Sequence, residues 1–187
     1  MIEDIIIYQP RNGYAVRVFR PWEVRELIRA IPKNENKDKF EALLFSACRY
    51  SEIKWLYDHQ TRFKGNRIHM KNTKSKVNDA YRYVMLNRQG ERSVDNFLRA
   101  KTNLPSNVSW NENLKRWCVK AGIKPDHACC KSTRKTFESW LIITYPQRTF
   151  EILASLGHSE NTALRHYLTF PFSKEDKNDM QYFVGGW

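Results

Sequence analysis

No run in this 187-residue sequence stays apolar for the roughly 20 residues that a membrane-spanning helix requires. The first four residues, Met1-Ile2-Glu3-Asp4, are acidic where a secretory leader would be basic and then apolar. A soluble intracellular protein with no membrane partner is therefore expected. Cysteine is scarce, and Cys48, Cys118, Cys129 and Cys130 form no Cys-x-x-Cys pair and no metal-ligand spacing with histidine. They read as buried or half-buried thiols in a reducing compartment, and no metal site is expected. Internal repeats, low-complexity tracts and Pro/Gly/Ser linkers are missing too, so one domain with a proper core is expected. There is no clustered carboxylate motif of the kind a two-metal nuclease uses.

Acid is most conspicuously missing between Lys54 and Arg88. Nine basic residues there (Lys54, Arg62, Lys64, Arg67, Lys71, Lys74, Lys76, Arg82 and Arg88) face only Asp58 and Asp79. The whole chain carries a formal charge of +12. Such a balance points to a polyanionic partner, nucleic acid above all. Its 41% hydrophobic and 13% aromatic content argues against disorder.

Periodicity sketches a mainly helical protein. Ile5 to Tyr8 and Tyr14 to Phe19 flank Arg11-Asn12-Gly13, a hairpin signal. Pro21 suits the first turn of a helix over 22–31, and Phe40, Leu43, Leu44 and Ala47 give a second over 39–48 its apolar stripe. Ser51 is a candidate cap for a short third helix. Strands are expected at 67–71 and 81–86, joined by a polar, lysine-rich segment. Further helices are expected at 94–101, 110–121, 132–143, 150–156 and 162–168.

Three segments carry a resemblance. The first, Leu43 to Ile53, contains Ala47-Cys48-Arg49-Tyr50-Ser51-Glu52 at the end of an apolar helix. The second is Lys131-Ser132-Thr133-Arg134-Lys135-Thr136-Phe137. The third is Leu156-Gly157-His158, with Arg165-His166-Tyr167 downstream and Tyr167 nine residues after His158. In order and spacing they resemble the boxes of the tyrosine recombinase (integrase) family. The likeness runs from about Pro21 to Tyr167. Arg49 matches the family's first arginine, Glu52 its companion acid, Arg134 the second arginine and Tyr167 the nucleophile. Lys131 stands where most members have histidine, and fusellovirus-type integrases of archaeal viruses are similar in this. His127 lies four residues too early for that role.

The resemblance implies a mainly α fold with a small antiparallel β-sheet. It divides the chain into an N-terminal hairpin arm (1–20), a catalytic domain (21–169) and a tail (170–187) that related enzymes exchange between protomers. It implies catalytic roles for Arg49, Lys74, Lys131, Arg134, His158 and Tyr167, with Lys71 and Lys76 as rivals to Lys74. Lys54, Arg62, Lys64, Lys71, Lys76 and Lys135 are the expected DNA contacts. The partner would be double-stranded DNA, bound by a homotetramer that is monomeric or weakly associated when free. No cofactor would be needed, and the location would be the cytoplasm, that of the host if the chain is viral. Two alternatives stay open: a type IB topoisomerase, which shares the chemistry, and a catalytically silent DNA-binding relative. The aromatic tail, with Phe170, Phe172, Met180, Tyr182, Phe183 and Trp187, holds too many apolar groups for a free segment. It should dock on its own domain or on a neighbour.

Overall fold

The structure, a computed structural model, describes residues 5–10, 13–32, 35–71, 81–158 and 170–187. The expected hairpin is present as β1 (Ile6–Tyr8) and β2 (Val16–Val18), antiparallel with Ile6 opposite Val18 and Tyr8 opposite Val16. Those four side chains are buried, so the hairpin is part of the core. Helix α1 (Pro21–Ala30) begins with proline at its first turn. The Glu23 carboxylate accepts the Arg20 N–H at 2.8 Å, which occupies an amide that a helix start leaves open. Val24 and Leu27 fill the buried face.

Helix α2 (Glu35–Phe45) ends earlier than its apolar stripe suggests, because Ala47 adopts φ 49° and turns the chain out of the helix. That turn sets the start of α3 (Tyr50–Asp58), and it corrects the expected cap. Arg49, rather than Ser51, holds the capping position, and the Glu52 carboxylate accepts its N–H at 2.8 Å. Strands β3 (Phe63–Lys64), β4 (Arg67–Lys71) and β5 (Tyr81–Met85) form an antiparallel sheet. Ile68 pairs with Val84 and His69 with Tyr83. Alternation buries Ile68, Met70 and Val84 on one face and leaves Arg67, Tyr81, Tyr83 and Met85 on the other.

Helix α4 (Arg88–Arg99) starts six residues before the expected position, since the Asn87 side chain accepts the Gly90 N–H at 2.9 Å and nucleates a turn without apolar residues. A Cβ on Gly90 would lie 2.8 Å from the Phe45 carbonyl, so glycine permits the close α2–α4 packing. Helix α5 (Asn107–Lys120) is capped by Ser106 and buries Trp110, Leu114 and Trp117. Helix α6 (Ser132–Thr144) runs through the centre, with residues 132–134 and 136–142 all buried. It packs against β2, α2, α7 (Thr149–Leu156) and α8 (Lys174–Val184).

Helix α8 lies on the chain's own core. Ser173 caps it, Arg20 pairs with Asp176 at its start, and Met180, Phe183 and Val184 are buried. Asn87 Nδ2 donates to the Phe183 carbonyl at 2.9 Å, and Trp187 Nε1 donates to the Met85 carbonyl at 3.1 Å. Tyr182 departs from the expectation for the tail's apolar groups: it is 84% exposed. The helix expected at 162–168 lies outside the described residues.

Candidate active site

The turn after α2, the start of α3, the start of α6 and the end of α7 meet at one place. Its centre is Glu52, whose side chain is fully buried. Arg49 Nη1 donates to one oxygen at 2.5 Å, and Arg82 Nη2 donates to the other at 2.9 Å. Arg134 Nη1 sits 3.7 Å from that second oxygen. Burial alone would raise the Glu52 pKa. Arg82, the Arg49 N–H and the guanidiniums of Arg49 and Arg134 overcome it and hold the carboxyl below its ordinary range. Burial lowers the Arg134 pKa, yet a guanidinium starts so far above neutrality that it stays charged.

The same three arginines grip the end of α7. Arg82 Nε donates to the Ser155 carbonyl at 3.0 Å, Arg134 Nη2 to Leu156 at 2.6 Å and Arg49 Nη2 to Gly157 at 3.0 Å. A helix C-terminus leaves such carbonyls without internal partners and carries partial negative charge, so three cations match it in hydrogen bonding and in field. His158 is the next residue and is fixed by this clamp. Its own N–H donates to the Leu153 carbonyl at 3.0 Å.

Gly157 takes part twice. Its φ of 66° lies in the left-handed region that closes the helix, and an added Cβ would come within 2.9 Å of Arg82 Nε. Gly157→Ala should lower stability by about 1–2 kcal/mol from the backbone alone. It should also push Arg82 off Glu52. Chemical denaturation would show this, and a variant as stable as the parent would refute the clamp.

A second acid lies behind the histidine. Glu138, on α6 and fully buried, takes Lys135 Nζ at 3.1 Å on one oxygen. Its other oxygen lies 2.8 Å from His158 Nδ1, close but without the alignment of a regular hydrogen bond. Burial opposes ionisation of Glu138, but Lys135, His158 and Arg134 outweigh it and keep the carboxyl well below the usual range. Burial likewise lowers the Lys135 pKa, against the pull of Glu138. Lys135 Nζ also stands 4.3 Å from the centre of the Tyr8 ring, which ties the hairpin to this pair.

Above these groups opens a cleft of about 550 Å³. Arg49, Lys131, Arg134, Lys135 and His158 line it together with Tyr8, Pro10 and Tyr50. Four of the six expected catalytic residues therefore converge, although they come from positions 49 to 158 of the chain. Lys131 is exposed at the first turn of α6. Lys74, Lys76 and Tyr167 lie outside the described residues.

The expected DNA contacts divide. Lys54, Lys64 and Lys71 are exposed. Arg62 is half-buried, 3.0 Å from His69 Nδ1 and 5.1 Å from the Tyr81 ring centre. Lys135 is half-buried, lines the cleft and pairs with Glu138. Two residues of the site were not singled out from the sequence. Arg82, counted there only as part of the basic run, points inward with 8% of its side chain exposed. Its place between the outward Tyr81 and Tyr83 on an alternating strand was the available signal. Glu138 gave none, as one glutamate within an amphipathic helix.

No family model matches the chain, and no curated protein sequence does. Solved structures do match. The XerA recombinase superposes with a TM-score of 0.64 at 16% identity, over 93% of this chain and 66% of that one. The XerH site-specific recombinase bound to its difH substrate, before cleavage, gives 0.61 at 19% identity, over 82% of this chain and 50% of that one. The XerH post-cleavage complex on palindromic difH gives 0.55 at 17% identity. The chain thus has the mainly helical α+β fold of tyrosine recombinases, as expected from its boxes. It spans between 50% and 66% of the length of these structures.

Proposed function

We propose that this chain is the catalytic domain of a site-specific DNA recombinase that breaks and rejoins strands through a covalent phosphotyrosine at Tyr167. One observation carries the reading: Arg49, Lys131, Arg134 and His158, which resemble the family's boxes in order, line a single cleft. The fold likeness supports it, and the XerH structures hold a difH substrate.

The chemistry follows from charge. A phosphodiester repels nucleophiles because its non-bridging oxygens share a negative charge, which grows in the pentacoordinate transition state. Arg49 and Arg134 present planar, permanently charged forks for those oxygens. Both are held by Glu52 and by the α7 carbonyls before substrate arrives, so little reorganisation is needed at the moment of reaction. Lys131, exposed at the cleft, adds a mobile charge. A phenol, with an ordinary pKa of about 10, ionises more readily in such a field, and Tyr167 is the proposed nucleophile. The phosphotyrosine link conserves the bond energy, and a new 5′-hydroxyl reverses the step. Lys74 is the proposed proton donor to the leaving 5′-oxygen. Double-stranded DNA is the proposed partner, bound by four protomers. Lysine at 131 in place of histidine favours an archaeal viral integrase, and integration or excision, over a topoisomerase.

The test is incubation with a nicked suicide duplex, on which cleavage traps the enzyme. A covalent protein–DNA adduct stable to denaturant is expected. Retardation without any adduct would mean a DNA-binding relative and end the enzymatic reading. Relaxation of supercoiled plasmid without strand exchange would favour the topoisomerase.

A further inference from the structure

Buried Glu138 makes no ion pair with the arginines that Glu52 gathers, although its charge favours the nearby Arg134 guanidinium. Its surroundings are specific. One oxygen is taken by Lys135; the other makes no aligned hydrogen bond among the described residues and lies 2.8 Å from His158 Nδ1. A buried carboxylate oxygen without a hydrogen is costly, and the imidazole is the donor within reach. We infer that Glu138 is a positioning residue that holds His158 in its Nδ1–H tautomer and leaves the Nε2 lone pair on the cleft side as a proton acceptor.

Three features make the arrangement useful. The clamp on Ser155, Leu156 and Gly157 fixes the backbone of His158 from one side, while Glu138 fixes the ring from the other. Arg134 and Lys135 from α6 face the ring, with Arg49 and Lys131 along the cleft, so the ring sits among cations. Burial first, and these cations after it, disfavour the imidazolium, and Glu138 opposes them. These effects favour the neutral ring, and the adjacent carboxylate would steady the charge it gains on accepting a proton. Finally, Lys131 stands where the family's boxes have histidine. A protonated lysine has no lone pair, so it cannot accept a proton.

In the cleavage reading above, on which only this step rests, the attacking hydroxyl gives its proton to His158 Nε2 as its oxygen bonds to phosphorus. The P–O5′ bond breaks, and the leaving oxygen takes a proton from the lysine side. Rejoining returns each proton by the reverse path.

Nitrogen-15 NMR of the free protein decides the tautomer with no substitution and no DNA. At neutral pH, His158 should show a protonated Nδ1 and a bare Nε2. In Glu138→Gln the titration midpoint of His158 should fall, because the carboxylate that favoured the imidazolium is gone. On nicked DNA the same variant should form adduct about 10–100-fold more slowly with unchanged DNA affinity, and its acid limb should move to lower pH. A protonated Nε2 in the parent protein, or a midpoint unmoved by Glu138→Gln, would overturn the inference. A parent protein with the expected tautomer that forms no adduct would instead sink the cleavage reading and leave the Glu138–His158 pair standing.

Discussion

Glu52→Gln should cost about 3–5 kcal/mol of folding stability, because it removes the buried anion among Arg49, Arg82 and Arg134 and leaves three guanidiniums facing one another. Domains of this size hold only about 5–15 kcal/mol in all, so the loss should be plain in a urea titration. Glutamine keeps the shape and one acceptor oxygen, which isolates the charge as the cause. A further result tests the site itself. Inorganic phosphate, supplied in excess, should restabilise Glu52→Gln more than the parent protein, since an anion in the cleft takes over part of the missing charge. The sign of the pH effect follows from the depressed pKa values of Glu52 and Glu138. A carboxyl whose folded pKa lies below its unfolded value of about 4.3 adds stability at all pH above that value. The contribution is lost as pH falls through the folded value. Glu52→Gln should therefore have a shallower acid transition. A stability change under about 1 kcal/mol would mean that the arginines do not depend on this acid.

Tyr167→Phe should eliminate the covalent adduct on nicked DNA while leaving affinity nearly unchanged. The substitution deletes one oxygen, the atom that would bond to phosphorus, and retains the ring. Most affinity should come from phosphate contacts made elsewhere, so it should weaken steeply with salt in parent and variant alike. Arg49→Ala would be a poorer test, since Arg49 also ties Glu52 to the Gly157 carbonyl and its loss would disturb the fold. Persistence of an adduct in Tyr167→Phe would mean that another nucleophile acts, and the likeness to the family's third box would not extend to its chemistry.

The site was legible in the sequence where it uses unusual residue types in order. Arg49, Lys131, Arg134 and His158 were identified from box spacing, and they meet. The partners that hold them were harder to see. Arg82 looked like one more cation in a basic run, because charge counting ignores which face of a strand a residue occupies. Glu138 became meaningful only once α7 placed His158 against α6. Helices α1, α5, α6 and α7 lie close to where apolar periodicity put them, whereas α8 was not read as a helix and other boundaries were set by caps or by the Ala47 turn. Asn87 starts α4 ahead of its first apolar residue, and the Arg49–Glu52 pair starts α3 where serine was the obvious cap. The hairpin arm matched nothing specific in the sequence, yet Tyr8 lines the cleft and touches the Lys135 charge.

Helix α6 supplies Lys131, Arg134, Lys135 and Glu138, and it is enclosed by segments from both directions along the chain. Thr136 Oγ1 accepts the Phe19 N–H, and Trp140 Nε1 donates to the Phe19 carbonyl, while Phe183 of α8 packs at a tilt against the Trp140 ring, with centroids 5.2 Å apart. Most of its contacts are thus remote in sequence, and such contacts require long loops to be closed first. A ribosome that has delivered α6 has not yet delivered the helix that closes over it. Until residues 174–184 emerge, Trp140 and its neighbours on α6 lack the cover that α8 gives them. An unfinished chain therefore lacks part of the frame around the helix that carries Lys131, Arg134, Lys135 and Glu138.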